Sequence, residues 1–345
     1  MSTPATDTPA SRRLLVVGPA WVGDMVMAQS LFMTLKQQDP QRHIDVLAPG
    51  WSRPLLERMP EVSEAIDMPL THGEFAFGRR RALGKSLRDR HYEQAIVLPR
   101  SWKSAVVPFY AGIPQRTGYH GEQRFILLND RRRLDKQALP MTVQRFNALA
   151  CEQQPSTPPP VPQPRLVVSE QGVQAALGSQ GLLRDRPILV LCPGAEYGPA
   201  KRWPEQHYAV VANDRLDAGW QVWLMGSNKD AAVTASINDL TQNRCVDLAG
   251  RTSLGEAIDL MSLAACVVSN DSGLMHVAAS LDRPLVAVYG SSDPGFTPPL
   301  HPQAKIERLG LECSPCFKRE CPLGHTKCLV DLSPQRILAA IGSLL

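Results

Sequence analysis

Short apolar runs typical of strands alternate with helical patterns along almost the whole chain of 345 residues. This alternation is typical of βαβ units and predicts α/β domains with doubly wound, mainly parallel sheets. The predicted strands are Leu14–Val17, Ile44–Leu47, Ala95–Leu98, Ile188–Cys192, Val222–Met225, Val267–Ser269 and Leu285–Tyr289. The predicted helices span 25–37, 79–90, 141–152, 205–218, 231–240, 254–265 and 274–281.

A proline-rich segment separates the two series of strands. Residues 153–165 include six prolines, and proline continues neither a helix nor a central strand. We therefore predict a linker at 153–165 between an N-terminal domain at 12–152 and a C-terminal domain at 166–332. A final helix is predicted at 333–345, and residues 1–11 are predicted to be a disordered tail. Because ligands bind beyond the carboxyl ends of parallel strands, the cleft between the domains is the expected site.

Charge and hydropathy narrow the class of protein. Residues 1–160 carry 21 Lys and Arg against 15 Asp and Glu, whereas residues 161–345 carry 16 against 18. The basic first half lacks the dense stripe typical of nucleic-acid binding, and it suits an anionic small molecule or an anionic membrane surface. No apolar run approaches the ~18 residues of a membrane span, and the start of the chain has no apolar signal core. We therefore predict a cytoplasmic protein that binds no nucleic acid.

Several common ligand-binding motifs are missing from the sequence. Without G-x-G there is no dinucleotide fingerprint, and neither G-x-S-x-G nor H-E-x-x-H occurs. The absence of D-x-D weakens the case for a sugar-nucleotide enzyme that holds its diphosphate through a divalent metal.

Two loops after predicted strands carry residues that could do chemistry. The glycine-bounded loop 18–24 ends in Asp24 at a helix start, where the carboxylate is either catalytic or only a helix cap. The loop 193–203 carries Lys201 and Arg202, which either pair with phosphates or form a solvated basic loop.

A third loop, 269–276, leads from a strand through small polar residues into a helix, with His276 about one turn inside. The free N–H groups and the dipole of such a helix could hold a diphosphate without metal. The alternative is an ordinary cap with a core histidine. The segment 289–294, which ends the next strand, could close the same pocket.

Together these motifs resemble the bacterial lipopolysaccharide heptosyltransferases, glycosyltransferase family 9. The resemblance covers nearly the whole chain, and its motifs are W-V-G-D-M at 21–25, P-G-A at 193–195, A-K-R-W-P at 200–204, N-D-S-G-L-M-H at 270–276 and Y-G at 289–290. Three further segments are similar to the branch that extends the first heptose of the inner core: 21–31, 103–108 and 296–299.

The resemblance implies a GT-B fold, with two Rossmann-like domains facing each other across a cleft. It implies inverting, metal-independent transfer of heptose from ADP-L-glycero-D-manno-heptose, bound mainly by the C-terminal domain. The implied acceptor is heptosyl-Kdo2-lipid A, bound mainly by the N-terminal domain, with peripheral contact at the cytoplasmic face of the inner membrane.

The resemblance also assigns residues. Asp24 is the implied general base and Lys201 the implied phosphate-binding lysine. The residues expected to bind the donor are Gly194, Lys201, Arg202, Gly226, Ser227, Asn270, Asp271, Ser272, Gly273, Met275 and His276. The residues expected to bind the acceptor are Trp21, Gly23, Arg100 and Lys103.

Two alternatives stay open. One is another family 9 heptosyltransferase that uses a different acceptor, either the core without its first heptose or a later core heptose, or a different nucleotide sugar. The other is a non-catalytic nucleotide-binding protein of the membrane surface that kept the fold. The joint presence of Asp24, Lys201 and His276 argues against the second.

The eight cysteines form two groups. Four are isolated and are predicted to be mainly core residues: Cys151, Cys192, Cys245 and Cys266. Four lie within sixteen residues, with His325 between them: Cys313, Cys316, Cys321 and Cys328. In a reducing compartment such a cluster is more typical of a metal site than of disulfides, although this spacing matches no standard zinc site. Structural zinc, an iron–sulfur centre, and reduced or bridged thiols all stay open, and no cofactor is predicted for transfer.

Overall fold

The computed structural model describes residues 12–70 and 74–345, so the predicted tail at 1–11 lies outside the described residues. The strands are Arg13–Val17 (β1), His43–Pro49 (β2), Glu64–Met68 (β3), Gln94–Val97 (β4), Gln115–Tyr119 (β5), Asp130–Arg132 (β6), Ile188–Cys192 (β7), Gln221–Leu224 (β8), Val246–Asp247 (β9), Cys266–Asn270 (β10), Leu285–Val288 (β11) and Lys305–Glu307 (β12). The α-helices are Val22–Gln38 (α1), Arg53–Leu56 (α2), Phe77–Ser86 (α3), Val106–Tyr110 (α4), Thr142–Asn147 (α5), Glu170–Gln180 (α6), Glu205–Asp217 (α7), Ala231–Leu240 (α8), Leu254–Met261 (α9), Gly273–Ser280 (α10), Lys327–Val330 (α11) and Pro334–Gly342 (α12). Short 3-10 turns are Gly50–Ser52, Arg88–Arg90, Trp102–Ala105, Ala148–Ala150, Pro199–Lys201 and Asn228–Asp230.

The strands form two parallel sheets with the same topology. The first sheet has the order β3-β2-β1-β4-β5-β6 and the second β12-β11-β10-β7-β8-β9. When the strands of the second sheet are numbered separately, this is the doubly wound order of the first, so the predicted α/β class is confirmed. The chain order reverses between β1 and β4 and between β7 and β10. Such reversals open a crevice at the carboxyl edge of a sheet, where ligands bind.

The chain divides into two compact units. The first unit consists of the described residues up to Ala20, Ser30–Leu139 and Gln144–Pro162. The second unit consists of Trp21–Gln29, Pro140–Val143 and Gln163–Leu345. The sequence predicts two continuous domains, whereas the first two turns of α1 group with the second unit. The reason is a close packing of those turns on α10, described below.

The central strands of each sheet are buried, which explains their continuous apolar sequences. All residues of β7 and β10 are buried. Cys192, Cys245 and Cys266 are 7% exposed or less, as expected for core residues of the second unit.

Residues 153–165 form neither helix nor strand. Two buried polar side chains of α1 bond to this proline-rich backbone. The Gln29 amide donates to the Arg165 carbonyl at 2.7 Å and accepts from the Arg165 N–H at 2.9 Å, and Ser30 Oγ donates to the Pro162 carbonyl at 2.5 Å. These bonds satisfy polar groups that would be costly to bury alone.

Among the helices formed by residues 12–70 and 74–345, none combines the length and the apolar character that crossing a bilayer requires.

Candidate active site

A lysine and an aspartate meet where β7 and β10 end. Lys201 closes the 3-10 turn that follows β7, and Asp271 directly follows β10. Lys201 Nζ lies 2.5 Å from Asp271 Oδ2, and the two side chains are 17% and 4% exposed. Lys201 Nζ also lies 5.1 Å from the centre of the Tyr197 ring. This edge of the second sheet therefore holds a nearly buried ion pair at its topological switch point.

Asp24 lies in the first turn of α1, with Lys201 and Asp271 as its charged neighbours. Burial raises the pKa of Asp24 to about 6; Lys201 lowers this pKa and Asp271 raises it, both by less than burial. At neutral pH the carboxyl is therefore mostly ionised, yet more basic than an ordinary aspartate. A carboxylate with these properties can accept a proton from a hydroxyl group.

The first turns of α1 and α10 pack tightly against each other. A Cβ atom on Gly23 would lie 2.6 Å from His276 Cδ2, and one on Gly273 would lie 2.7 Å from the Cβ of Val22. Any side chain at either glycine would push these turns apart. This contact explains why the start of α1 groups with the second unit and places Asp24 beside the ion pair.

His276 is 4% exposed, and burial lowers its pKa to about 4. Asp271 raises this pKa and Lys201 lowers it, both by less than burial. The imidazole is consequently neutral at physiological pH, so the nearby cation is Lys201 rather than a histidinium.

The amino terminus of α10 lacks a side-chain cap from its N-cap residue. Ser272 has an extended backbone and makes no capping hydrogen bond, and its hydroxyl lies 3.3 Å from the hydroxyl of Ser269. The first N–H groups of such a helix attract anions through their hydrogen-bonding capacity and the helix dipole.

Two of the predicted donor residues have their polar atoms engaged by the protein itself. The Asn270 amide accepts from Trp203 N–H at 3.1 Å and from the Tyr208 hydroxyl at 3.0 Å, and it donates to the Pro193 carbonyl at 2.7 Å. Met275 is fully buried, and its sulfur accepts a hydrogen bond from a tyrosine hydroxyl at 3.4 Å. Asn270 thus ties the loop after β7 to β10, a role that the sequence did not indicate.

Four other predicted donor residues surround a carboxylate that sequence reasoning missed. Asp230 Oδ2 accepts from the Ser227 N–H at 2.9 Å and from its hydroxyl at 2.8 Å. A Cβ atom on Gly194 would lie 2.3 Å from the Asp230 carboxyl carbon, and one on Gly226 would lie 2.9 Å from its Cβ. Arg202 Nη2 lies 3.8 Å from Asp230 Oδ1. The S-x-x-D spacing of a capping box was the sequence signal for this residue.

The Arg202 guanidinium carries a buried donor without a partner in the described part of the chain. Its Nε atom is buried and has no hydrogen-bond partner among residues 12–70 and 74–345. A buried donor in this state costs ~1–3 kcal/mol, which an incoming acceptor would recover.

The predicted acceptor residues divide between the units. Arg100 and Lys103 follow β4 in the first unit; Arg100 Nε donates to the His120 carbonyl at 3.2 Å, and Lys103 Nζ lies 3.5 Å from the Glu74 carbonyl. Trp21 belongs to the second unit and is 42% exposed. Gly23, also in the second unit, is buried against the imidazole described above.

A buried arginine holds the loop that carries Arg100 and Lys103. Arg124 is 2% exposed and donates to the Pro99 carbonyl at 2.7 Å and to the Tyr119 carbonyl at 2.6 Å. Burial lowers the pKa of Arg124 to about 10. Sequence reasoning missed this residue because nothing in the local pattern separates it from the other arginines around it.

All eight cysteines are free. The clustered four and His325 line one small cavity, and burial, followed by the three other thiols of the cluster, raises the pKa of Cys328. Among residues 12–70 and 74–345, no three His, Cys, Asp or Glu side chains are already spaced to hold a metal ion.

The comparisons with known proteins agree with one another. Residues 80–327 match the family model for glycosyltransferase family 9 (heptosyltransferase). The chain is 50% identical to lipopolysaccharide heptosyltransferase 2 of Escherichia coli K12, over 96% of this chain and 98% of that protein. It is 48% identical to lipooligosaccharide heptosyltransferase 2 of Haemophilus influenzae Rd, over 96% and 99%.

A solved structure gives the same result. The structure of E. coli ADP-heptose lipopolysaccharide heptosyltransferase II superposes with a TM-score of 0.86 at 47% identity, covering 96% of this chain and 98% of that one. This chain has two parallel six-stranded sheets, and with this structural match the predicted GT-B fold is confirmed. The chain is therefore a glycosyltransferase that belongs to family 9, the heptosyltransferases.

Proposed function

We propose that this chain transfers L-glycero-D-manno-heptose from ADP-heptose to the first heptose of heptosyl-Kdo2-lipid A, with inversion at the anomeric carbon. One observation carries the proposal: a carboxylate with a raised pKa, Asp24, lies beside the Lys201–Asp271 pair at the start of α10. This arrangement supplies a base for a sugar hydroxyl and a cation for a departing diphosphate. The identity of the relatives supports the choice of donor and acceptor.

The leaving group is ADP, whose departure needs electrostatic stabilisation more than protonation. Lys201 and the N–H groups at the start of α10 supply positive potential for its diphosphate. Asp271 pairs with Lys201 until the diphosphate takes its place as counter-ion. The free Nε–H of Arg202 points to a second contact with the donor.

Asp24 is the proposed general base. It accepts the proton of the attacking hydroxyl as the C–O bond to the anomeric carbon forms and the bond to the ADP oxygen breaks. Because inversion takes one displacement, a single carboxylate suffices, unlike the carboxyl pairs of glycosidases. We propose no metal or cofactor for this step.

Among the remaining assignments, Gly194, Gly226, Ser227, Ser272, Gly273 and His276 are proposed to shape the donor pocket. Asn270, Met275 and Asp230 are proposed to position that pocket through their bonds within the protein. Trp21 and Gly23, which were expected to bind the acceptor, both lie in the second unit. Trp21 is proposed to offer the acceptor an exposed ring three residues before Asp24, and Gly23 is proposed to allow the close packing of α1 on His276.

We propose that the first unit binds the phosphorylated lipid acceptor, through Arg100 and Lys103.

An exposed apolar pair supports a peripheral contact with the cytoplasmic face of the membrane: Phe125 is 53% exposed and Ile126 is 79% exposed. Arg131 lies 5.5 Å from the centre of the Phe125 ring. Apolar side chains flanked by cations suit an anionic lipid surface.

Sedimentation with vesicles tests this contact. Binding to phosphatidylglycerol vesicles should exceed binding to phosphatidylcholine vesicles, and Ile126→Ser should reduce it about twofold to fivefold. Leu183→Ser is the matched control, since Leu183 is 72% exposed in the second unit. Equal binding of both variants would contradict the assignment.

A turnover assay tests the reaction itself. ADP-heptose is supplied with either heptosyl-Kdo2-lipid A or Kdo2-lipid A, and the released ADP is measured together with the mass of the lipid product. The proposal expects one added heptose on the first acceptor only. Transfer to Kdo2-lipid A alone would make this the enzyme that adds the first heptose, and absence of transfer to both would leave a donor-binding protein without this activity.

The cluster of four cysteines takes no part in the proposed transfer. We propose a structural role for it as a metal site, with zinc or an iron–sulfur centre as the two chemistries that thiol ligands allow.

A further inference from the structure

The four clustered cysteines share one cavity although they are spread over sixteen residues of irregular chain. Cys313, Cys316, Cys321 and Cys328 line it together with His325. Its volume is about 20 Å³. A cavity needs ~10–15 Å³ to hold one water molecule, so this space has room for one water-sized guest such as a single ion.

The chain around the cavity has no hydrophobic core of its own. None of residues 308–328 is buried, and none of residues 308–326 lies in a helix or strand. All four cysteines in the cluster are partly exposed, unlike the buried Cys192 and Cys266. Small irregular segments without a core are commonly held together by a disulfide or a structural metal, and here the thiols are free.

A buried polar atom in the cavity wall lacks a partner. Ser291 is 1% exposed and lines the cavity, and its hydroxyl has no hydrogen-bond partner among residues 12–70 and 74–345. A buried hydroxyl without a partner is costly. A negatively charged metal–thiolate centre would accept its hydrogen bond.

We propose that the four cysteines bind one zinc ion as a tetrathiolate site, and that this ion braces the turn that carries Lys201. Four thiolates are a common tetrahedral zinc set, and at a given site zinc binds more tightly than ferrous iron. Binding replaces four S–H bonds with four Zn–S bonds and releases four protons, with no change of oxidation state. The thiols are not at coordination spacing, so binding requires the segment 313–328 to close around the ion.

The bracing follows from backbone contacts between the two segments. The Ala200 N–H donates to the Arg319 carbonyl at 3.0 Å, and Ala200 itself lines the cavity. A Cβ atom on Gly198 would lie 2.5 Å from the same carbonyl oxygen. The Tyr197 hydroxyl donates to the Phe317 carbonyl at 2.8 Å. The cysteine segment, residues 313–328, is therefore hydrogen-bonded to the residues directly before Lys201.

The opposite side of the cysteine segment is fastened to the loop after β11. The Phe317 N–H donates to the Ser291 carbonyl at 2.7 Å, and the Ser314 hydroxyl donates to the Gly290 carbonyl at 2.6 Å. The segment thus joins two strand-end loops of the second sheet. Any consequence for donor binding rests on the function proposed above.

Metal content tests whether the four cysteines bind a zinc ion. The full chain is purified without a histidine tag, in reductant and without chelator, and its metals are counted by mass spectrometry of the elements. About one zinc per chain is expected, with less than a fifth of that in Cys316→Ser and Cys321→Ser. Cys151→Ser, a matched change outside the cluster, should keep the zinc, and so should His325→Ala.

Three results would overturn the site. Less than about a tenth of an equivalent of any metal in the wild-type chain would remove it. Iron, with or without inorganic sulfide, would replace the assigned ion, and loss of zinc in His325→Ala would replace the ligand set.

Hydrogen exchange tests whether zinc stabilises the turn that carries Lys201, and it does not require transfer activity. Peptides covering 197–203 should exchange at least about tenfold faster after zinc is removed from the wild-type chain by a chelator, and zinc should restore the slow rate. Cys316→Ser should show the fast rate, while peptides of α8 stay unchanged and report that the unit is folded. Unchanged exchange at 197–203 would overturn the bracing.

The affinity for ADP, measured by calorimetry, should fall when zinc is removed. A wild-type chain that binds zinc but no ADP would count against the proposed function and not against the metal site.

Discussion

The two units hold their charged residues in opposite ways. In the second unit the side chains of Lys201 and Asp271 are 17% and 4% exposed, and they lie 2.5 Å apart beside Asp24. In the first unit Arg100 is exposed and Lys103 is partly exposed. Charges shielded from water act on one another and on a ligand far more strongly than exposed ones do. We therefore propose that bond making depends on the second unit and acceptor recognition on the first, and we expect substitutions in the two units to have effects of very different size.

Removal of the proposed base should have the largest effect. Asp24→Asn keeps the shape of the side chain but cannot accept the proton of the acceptor hydroxyl, so kcat should fall by ~10²–10⁴. ADP affinity should stay within about threefold, because the lysine that holds the diphosphate is intact. The measurements are steady-state turnover and calorimetric binding of ADP.

The exposed Asp239 of α8 supplies the matched control. Asp239→Asn should have wild-type turnover. If Asp24→Asn also turned over at the wild-type rate, Asp24 would be reassigned to the structure of the α1 start.

Loss of the buried lysine should weaken donor binding next. Lys201→Ala removes a charge-assisted contact to phosphate, which is worth ~1.5–3 kcal/mol, so the Kd for ADP should rise about 10–100-fold. It also leaves Asp271 buried without its counter-ion, so Tm should fall. Lys201→Arg should recover part of both losses, and Lys305→Ala, an exposed lysine of β12, should change neither. Equal ADP affinity in Lys201→Ala and wild type would rule out the diphosphate contact.

The pH dependence of turnover should report the raised pKa of Asp24. With a pKa of about 6, the carboxyl gains its proton as pH falls through that value and stops acting as a base. The ratio kcat/KM should therefore drop about tenfold per pH unit below pH 6 and level off above pH 7. A profile that stayed flat down to pH 5 would contradict either the role of Asp24 or its raised pKa.

The same burial should make Asp24 a cost to stability. The pKa of Asp24 rises from its ordinary value of 3.8 to about 6 in the folded chain, so the folded state binds this proton more tightly than the unfolded state. Protonation of Asp24 therefore stabilises the folded state. This stabilisation is complete below pH 3.8 and is lost as pH rises through 6.

Asp24→Asn has no charge to bury, so above pH 6 its free energy of unfolding should exceed that of wild type by of order 1–3 kcal/mol. The difference should shrink towards zero as pH falls to about 4. Urea unfolding at several pH values measures it, with Asp239→Asn as the control that shows no such trend. A gain that did not depend on pH would point to packing instead of charge.

Most central strands were predictable from the sequence, but the interior strand Gln115–Tyr119 and the four edge strands were not. A strand buried on both faces must be apolar throughout, as in Ile188–Cys192, and such runs stand out. The edge strands Asp130–Arg132, Val246–Asp247 and Lys305–Glu307 are two or three residues long and mainly polar, so no apolar run marks them. Their place follows from pairing with a neighbouring strand, which is a tertiary contact.

The candidate site divides in the same way. Strand-end loops with Lys201 and Asp271 were visible because the residues occur where a strand ends and a helix begins. The pairing of Gly23 with His276 and the convergence of four residues on Asp230 depend on distant parts of the chain. Position alone predicts that Asn270 is a ligand residue, whereas the three bonds that its amide makes within the protein could not be predicted.

The smallest effects should come from the exposed charges of the first unit. Arg100→Ala or Lys103→Ala removes one solvated charge facing a phosphorylated lipid, and such contacts are worth ~0.2–1 kcal/mol. The KM for the acceptor should rise about twofold to fivefold, while kcat and the KM for ADP-heptose stay constant. Added salt should erase the difference from wild type, because salt screens exposed charges more than buried ones. The Lys201→Ala defect should persist in the same salt series, since that lysine is nearly buried. A rise in the acceptor KM of Arg100→Ala that salt did not erase, or a fall in its kcat, would mean that Arg100 takes part in bond making. The proposed division of roles between the two units would then be wrong.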